Sequence, residues 1–168
     1  ADGLPGAPGL GSLMVVDPGG ATTDVHSIST DEPSPGVVHQ GLPEPREKRT
    51  VEGDLGMRHN AATVVELHGL EAIAADAGVD PASARQMLER VARQADWLPS
   101  TPGEAAFDQA LVRAAVKTAV TRHCGTVEAV HTATGKVLVK HGKDLSKVSA
   151  VMLRPNTMPP GSACGPTV

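Results

Sequence analysis

Asp17-Pro18-Gly19-Gly20-Ala21-Thr22-Thr23-Asp24 decides how this chain is read. Before it stands an apolar run, Leu13-Met14-Val15-Val16, whose β-branched residues and glycine-rich exit predict a buried strand. After it, Val25, Ser27 and Ser29 alternate with His26 and Ile28. That period of two predicts a second strand, antiparallel to the first and joined to it by a loop of about six residues. The loop's chemistry suits a polyphosphate. Gly19 and Gly20 let the main chain turn sharply and approach an anion closely. Their N–H groups, with those of Ala21, Thr22 and Thr23, can form an anion nest, and the two threonines add hydroxyl donors. Asp17, at a strand end, can hold Mg²⁺ directly or through water. An ordinary glycine turn capped by Asp and Thr is the other reading of the same residues.

Moving outward, 30–49 carries prolines at 33, 35, 43 and 45 among many charges. It reads as a mobile surface loop without regular structure. Three helices are expected next. The first runs from about Asn60, a potential cap, to Ala77, with Val64, Leu67, Leu70 and Ile73 at helical spacing and Gly78 as its stop. The second starts at Asp80-Pro81 and runs to Pro99, with Ala84, Met87, Val91, Ala95 and Leu98 as its apolar stripe. The third spans about 103–123 and has apolar residues round most of its surface, which predicts a covered helix. A hairpin follows, 126–133 with 136–141 about Thr134-Gly135, and then a last strand near 148–153. The stretch 1–11 reads as linker, and 154–168 has no pattern and reads as a disordered tail.

Composition excludes several classes. Of 168 residues, 15 are basic and 19 acidic, a net charge of −4, so no basic field exists to hold a nucleic acid backbone. Aromatics are nearly absent, which argues against base stacking. No apolar run reaches the roughly 20 residues of a membrane span, and 1–10 lack the pattern of a signal peptide. Two distant cysteines, Cys124 and Cys164, make neither a disulfide framework nor a metal knuckle, so a reduced, cytoplasmic protein is expected. The chain also starts without Met, which reads as a piece of something longer. Gly135-Lys136 and Gly142-Lys143 lack the rest of a Walker A motif. The seven histidines show no zinc spacing. His123 and Cys124 are neighbours about 100° apart on a helix, a poor dyad.

The pattern D-x-G-G-x-T-x-D resembles a phosphate loop of the actin/Hsp70/sugar-kinase ATPase superfamily. The longer string VVDPGGATTDVHS at 15–27, with TVEGDLGMRHNA at 50–61, TRHCGTVEAV at 121–130 and GKDLSKV at 142–148, resembles the glutamate mutase accessory protein family. That family is called MutL or GlmL and is unrelated to the mismatch-repair MutL. The resemblance implies an α/β fold, part of a ribonuclease-H-like (actin/Hsp70 ATPase) architecture: a mixed sheet with three helices, residues 12–153 forming its second lobe. It implies a chaperone-like ATPase that uses ATP and Mg²⁺ and reactivates an adenosylcobalamin-dependent glutamate (methylaspartate) mutase. Asp17 and Asp24 then fall at catalytic positions, Asp17 beside the metal. Gly19, Gly20, Ala21, Thr22 and Thr23 fall at the phosphates.

Glu52-Gly53-Asp54-Leu55-Gly56-Met57-Arg58 matches the family's own signature, whose role is open. Glu52 and Asp54 are candidates near the metal and Arg58 near a phosphate; a capped turn into the first helix is the alternative. Three departures stand out. Pro18 replaces an aliphatic residue and removes one N–H from the loop. The amino-terminal half, with the first phosphate loop, is absent. Val151-Met152-Leu153-Arg154-Pro155 replaces a glycine pair, which reads as a frameshift or truncation. These departures favour a non-catalytic interaction half-domain over an active ATPase for this chain. A hydantoinase-type ATPase-like domain is a further alternative that shares the loop but not the signature.

Overall fold

The computed structural model describes residues 1–30, 36–133 and 135–154. In chain order the elements are β1 (Gly3–Leu4), β2 (Ala7–Pro8), β3 (Leu13–Pro18), β4 (Thr23–Ile28), β5 (Val37–Gln40), β6 (Glu47–Glu52), α1 (Ala61–His68), α2 (Leu70–Ala77), α3 (Pro81–Arg93), α4 (Pro102–His123), β7 (Thr126–Thr132), β8 (Gly135–His141) and β9 (Ala150–Leu153). The fold is mixed α/β. One sheet has the order β6-β4-β3-β9, a second β5-β8-β7, and β1 pairs with β2.

The decisive hairpin forms as expected but more tightly. β3 and β4 pair antiparallel from Leu13↔Ile28 to Pro18↔Thr23, so only residues 19–22 connect them. β9 lies parallel to β3, and β6 antiparallel to β4. Met14, Val16, Val25 and Ser27 are buried on the sheet's inner face, while His26 on the other face is exposed. The inner face is covered by α4, which is central: Phe107, Leu111, Ala115 and Ala119 are fully buried in the main core. Each large apolar side chain sequestered there stabilises the fold by about 1.5–3 kcal/mol. Met14, Met57 and Met87 also pack in or against this core, as their chemistry suggested.

Several expectations need correction. Four helices form among the described residues, not three, because Gly69 takes φ +85° and splits the first expected helix into α1 and α2. Leu67 is consequently half exposed rather than part of a continuous stripe. α3 ends at Arg93, not at Pro99. The chain beyond it turns so that Trp97 is buried, and Leu98 is left 68% exposed. Asp80 does cap α3, accepting from Ser83 N. A capping box of Thr101 and Glu104 starts α4.

Stretch 30–49 is not a bare loop. β5 pairs parallel with β8, and β6 forms an edge of the first sheet. Both gain hydrogen-bond partners from strands distant in sequence, which local composition does not reveal. Within 1–11, β1 and β2 form a short hairpin rather than plain linker. Of the expected tail 154–168, Arg154 is tied to β3, its N donating to Val16 O at 2.9 Å, while 155–168, like 31–35 of the proline-rich stretch and Thr134 of the expected hairpin turn, lie outside the described residues.

Candidate functional site

The turn 19–22 stands at the end of the β3–β4 hairpin, and residues 55–60 run beneath it from β6 toward α1. Three consecutive loop carbonyls point into that segment. Gly19 O accepts from Met57 N at 2.9 Å, and Gly20 O accepts from the amides of Arg58 and His59 at 2.9 and 3.0 Å. Ala21 O accepts from Asn60 Nδ2 at 2.9 Å, and the same group donates to Gly53 O at 2.8 Å. In a trans peptide, the carbonyl of one residue and the N–H of the next point in opposite directions. No peptide bond among the described residues is cis. With the carbonyls of Gly19, Gly20 and Ala21 turned in, the N–H groups of Gly20, Ala21 and Thr22 are turned out. None of these three amides has a hydrogen-bond partner among the described residues. Successive free amides on one concave turn suit an anion.

The loop and its support approach so closely that only glycine fits at one point. A Cβ on Gly56 would lie 2.3 Å from the carbonyl carbon and oxygen of Ala21. At the tip of the loop Ala21 is exposed, while Gly19, Gly20 and Thr22 are half-buried. Surface cavities occur elsewhere, one lined by Ser12, Ser29, Thr30, Asp144 and Lys147 and another along α3.

The tight turn uses up part of the expected donor set. Gly19 N donates to Thr22 O at 2.7 Å inside the turn. Thr23 is fully buried in β4, and its hydroxyl donates to Leu55 O at 2.7 Å, so it braces the loop rather than facing outward. The Thr22 hydroxyl donates to Asp24 Oδ2 at 3.1 Å. Pro18 ends β3, before the first outward amide, so its missing N–H removes none of the three.

Asp17 and Asp24 stand opposite each other in register. Like charges so placed repel, and each has its own arginine. Arg49 grips Asp24 Oδ1 through Nε at 3.1 Å and Nη2 at 2.7 Å. Arg154, just past β9, donates to Asp17 Oδ2 at 3.2 Å. Asp17 Oδ1 is buried with no hydrogen-bond partner among the described residues. A carboxylate oxygen lacking one partner fits a cation or a cation's water, so the donor chemistry at Asp17 is compatible with Mg²⁺.

The charged signature residues are taken up by ion pairs. Arg58 does not face the loop's outer surface. Its Nη1 donates to Asp108 Oδ1 at 2.6 Å and to Met57 O at 3.0 Å, both partners of the ion pair are buried, and the guanidinium lies 5.6 Å from the Trp97 ring centre. Glu52 and Asp54 are both held by Arg122, at 2.7 Å each, which keeps the Asp54 carboxyl below the usual range and raises the arginine. Asn60 precedes α1 but makes no capping bond with its side chain. Sequence reading missed Gly56 and Asn60 as supports of the loop.

His123 is buried in the α4–sheet interface. Its Nδ1 meets Thr50 Oγ1 at 2.8 Å and its Nε2 meets Ser27 Oγ at 2.9 Å. Burial, aided by the positive charges of Lys48 and Lys143, pushes it down to about 4. Cys124 is half-buried, and burial pushes its thiol up, which opposes a nucleophilic role. Among the described residues, no group of three potential metal ligands from His, Cys, Asp and Glu assembles. No helix among them is long and apolar enough to cross a membrane.

A family model described as "MutL protein" matches residues 5–154. "Protein MutL" of Clostridium tetanomorphum is 43% identical to the chain over 157 residues, covering 90% of this chain and 33% of that protein. The chain thus spans about a third of the length of the curated relative it matches. No solved structure matches it.

Proposed function

Since the chain belongs to the MutL protein family, we propose that the turn 19–22 holds the polyphosphate end of ATP. The protein it serves in is then a chaperone-like accessory ATPase of an adenosylcobalamin-dependent glutamate (methylaspartate) mutase. The α/β fold is read accordingly as part of a ribonuclease-H-like ATPase architecture. The observation that carries this reading is the inward turn of three successive carbonyls, which leaves the amides of Gly20, Ala21 and Thr22 facing out. Bonds from such donors to a phosphate oxygen are charge-assisted, each worth about 1.5–3 kcal/mol.

In this reading the chain's own residues bind and orient. The three amides fix the phosphates, and Thr23 and Leu55 lock the turn through their hydrogen bond. Asp17 offers its unpartnered oxygen to Mg²⁺, which when bound supplies positive charge beside the phosphates. Asp24, neutralised by Arg49, keeps Thr22 in place. A role as a non-catalytic interaction domain is favoured by one observation: the tip of the loop, Ala21, is exposed.

Calorimetric titration of the chain with Mg-ATP tests both readings. Binding is expected, together with at least a tenfold loss in Ala21→Glu, which sets a carboxylate at the nest while altering an exposed side chain. Equal affinity in Ala21→Glu refutes the loop as the phosphate site. Steady ATP turnover by this chain refutes the interaction reading.

A further inference from the structure

We infer that the signature segment 53–60 is the device that aims the phosphate loop, with Asn60 and Gly56 as its positioning residues; this rests on the reading of 19–22 as an anion site. A peptide plane in an exposed glycine-rich turn can rotate at little cost. Here each plane that matters is pinned by its carbonyl: two by main-chain amides of 57–59, the third by the Asn60 side chain. The first two pins come from backbone and survive any side-chain change. The third depends on residue type. Asn60 Nδ2 spans Ala21 O and Gly53 O, tying the tip of the loop to the start of the signature.

The identity of Asn60 makes local sense only in this role. It stands at the N-cap of α1, where asparagine ordinarily bonds the helix's free amides, a contribution of about 1 kcal/mol. It makes no such bond. Its Nδ2 donates to Ala21 O in the loop and to Gly53 O in the signature. Gly56 serves the same contact by absence, because any side chain there would strike the Ala21 carbonyl that Asn60 holds. Release of that carbonyl frees the 21–22 peptide, and with it the direction of the Thr22 N–H. The Arg58 side chain passes under Gly20 at 3.7 Å from where a Cβ would stand, and its buried pair with Asp108 anchors the whole support to α4.

Asn60→Ser separates positioning from mere stability. Serine caps helices as well as asparagine and carries no charge, but it is too short to reach Ala21 O and Gly53 O together. With the full 168-residue chain, inorganic pyrophosphate and Mg-ATP are titrated calorimetrically, and melting is followed in parallel. The expected result is roughly tenfold weaker binding of both probes, the value of about one charge-assisted hydrogen bond, with the melting temperature held within a degree or two. Gly56→Ala should weaken binding at least as much. Unchanged affinity in Asn60→Ser, with the unaltered chain binding, overturns the inference and leaves the phosphate site standing. Absence of binding by the unaltered chain overturns the phosphate reading itself. As a second readout, the Thr22 amide should exchange hydrogen at a different rate in Asn60→Ser while α4 amides keep theirs; identical Thr22 exchange also counts against the inference.

Discussion

The two hairpins of this molecule, β3–β4 and β7–β8, begin from similar sequence and end in different circumstances. Both alternate along their strands and both turn near a glycine. In β4 the alternation becomes real burial, with Thr23, Val25 and Ser27 inside and His26 outside. In β7 every residue is exposed. Alternation predicts a strand, whereas a covered face depends on a helix delivered from elsewhere. For β3–β4 that helix is α4, which reaches the sheet through His123 on Ser27 and Thr50. The β7–β8 pair is extended by β5, which lies parallel to β8, and just beyond its strands Gly125 N donates to Lys143 O at 2.7 Å while Lys143 Nζ donates to the carbonyls of Pro45 and Arg46. Only a turn braced from beneath can hold amides in fixed directions.

The sharpest way to break that contrast is to remove Asp108. Its loss leaves Arg58 buried without its counter-charge, and such a change costs about 3–5 kcal/mol. Asp108→Ala should therefore lower the denaturation midpoint strongly and loosen the loop through its support. Arg58→Met, which removes the charge as well, should cost less.

An intermediate effect is expected from pH. His123 is held down to about 4 in the fold, against an ordinary value of 6.5. Between those values the unfolded chain takes up a proton that the folded chain refuses, so stability falls as pH drops from about 6.5 toward 4. Thermal melting at pH 6.5 and pH 5 should show this decline, and His123→Gln should flatten it. The carboxyls of Asp54, Glu104 and Asp144 are shifted downward and lose their contribution only at more acid pH.

The smallest effect belongs to the other hairpin. Val127 on β7 is 57% exposed. Val127→Thr should change stability by no more than about 0.5 kcal/mol. The same exchange at fully buried Val25 should cost clearly more, since it places a hydroxyl in the core. Equal effects at the two sites would dissolve the distinction between the hairpins.

How much of this was legible follows from contact range. The β3–β4 hairpin and its turn could be read because period and glycine act locally. Trp97, Asp108 and Arg58 could not, because the ion pair joins residues 50 apart. An arginine beside a glycine loop suggests a phosphate ligand until its distant carboxylate is known. The position of Asn60 predicts a cap, and only the folded chain brings Ala21 O within its reach. Gly69 did carry a signal, a lone glycine inside a helical pattern, and it marks the break between α1 and α2. β5 and β6 were hidden by prolines nearby and by partners far along the chain.

The central claim is that Gly20, Ala21 and Thr22 present their amide hydrogens to an anion. The most direct measurement follows every backbone amide by two-dimensional NMR while pyrophosphate is added to the unaltered chain. The account predicts that these three signals move furthest and together, saturating with one binding constant. If they stay still while amides elsewhere respond, the turn is not the site.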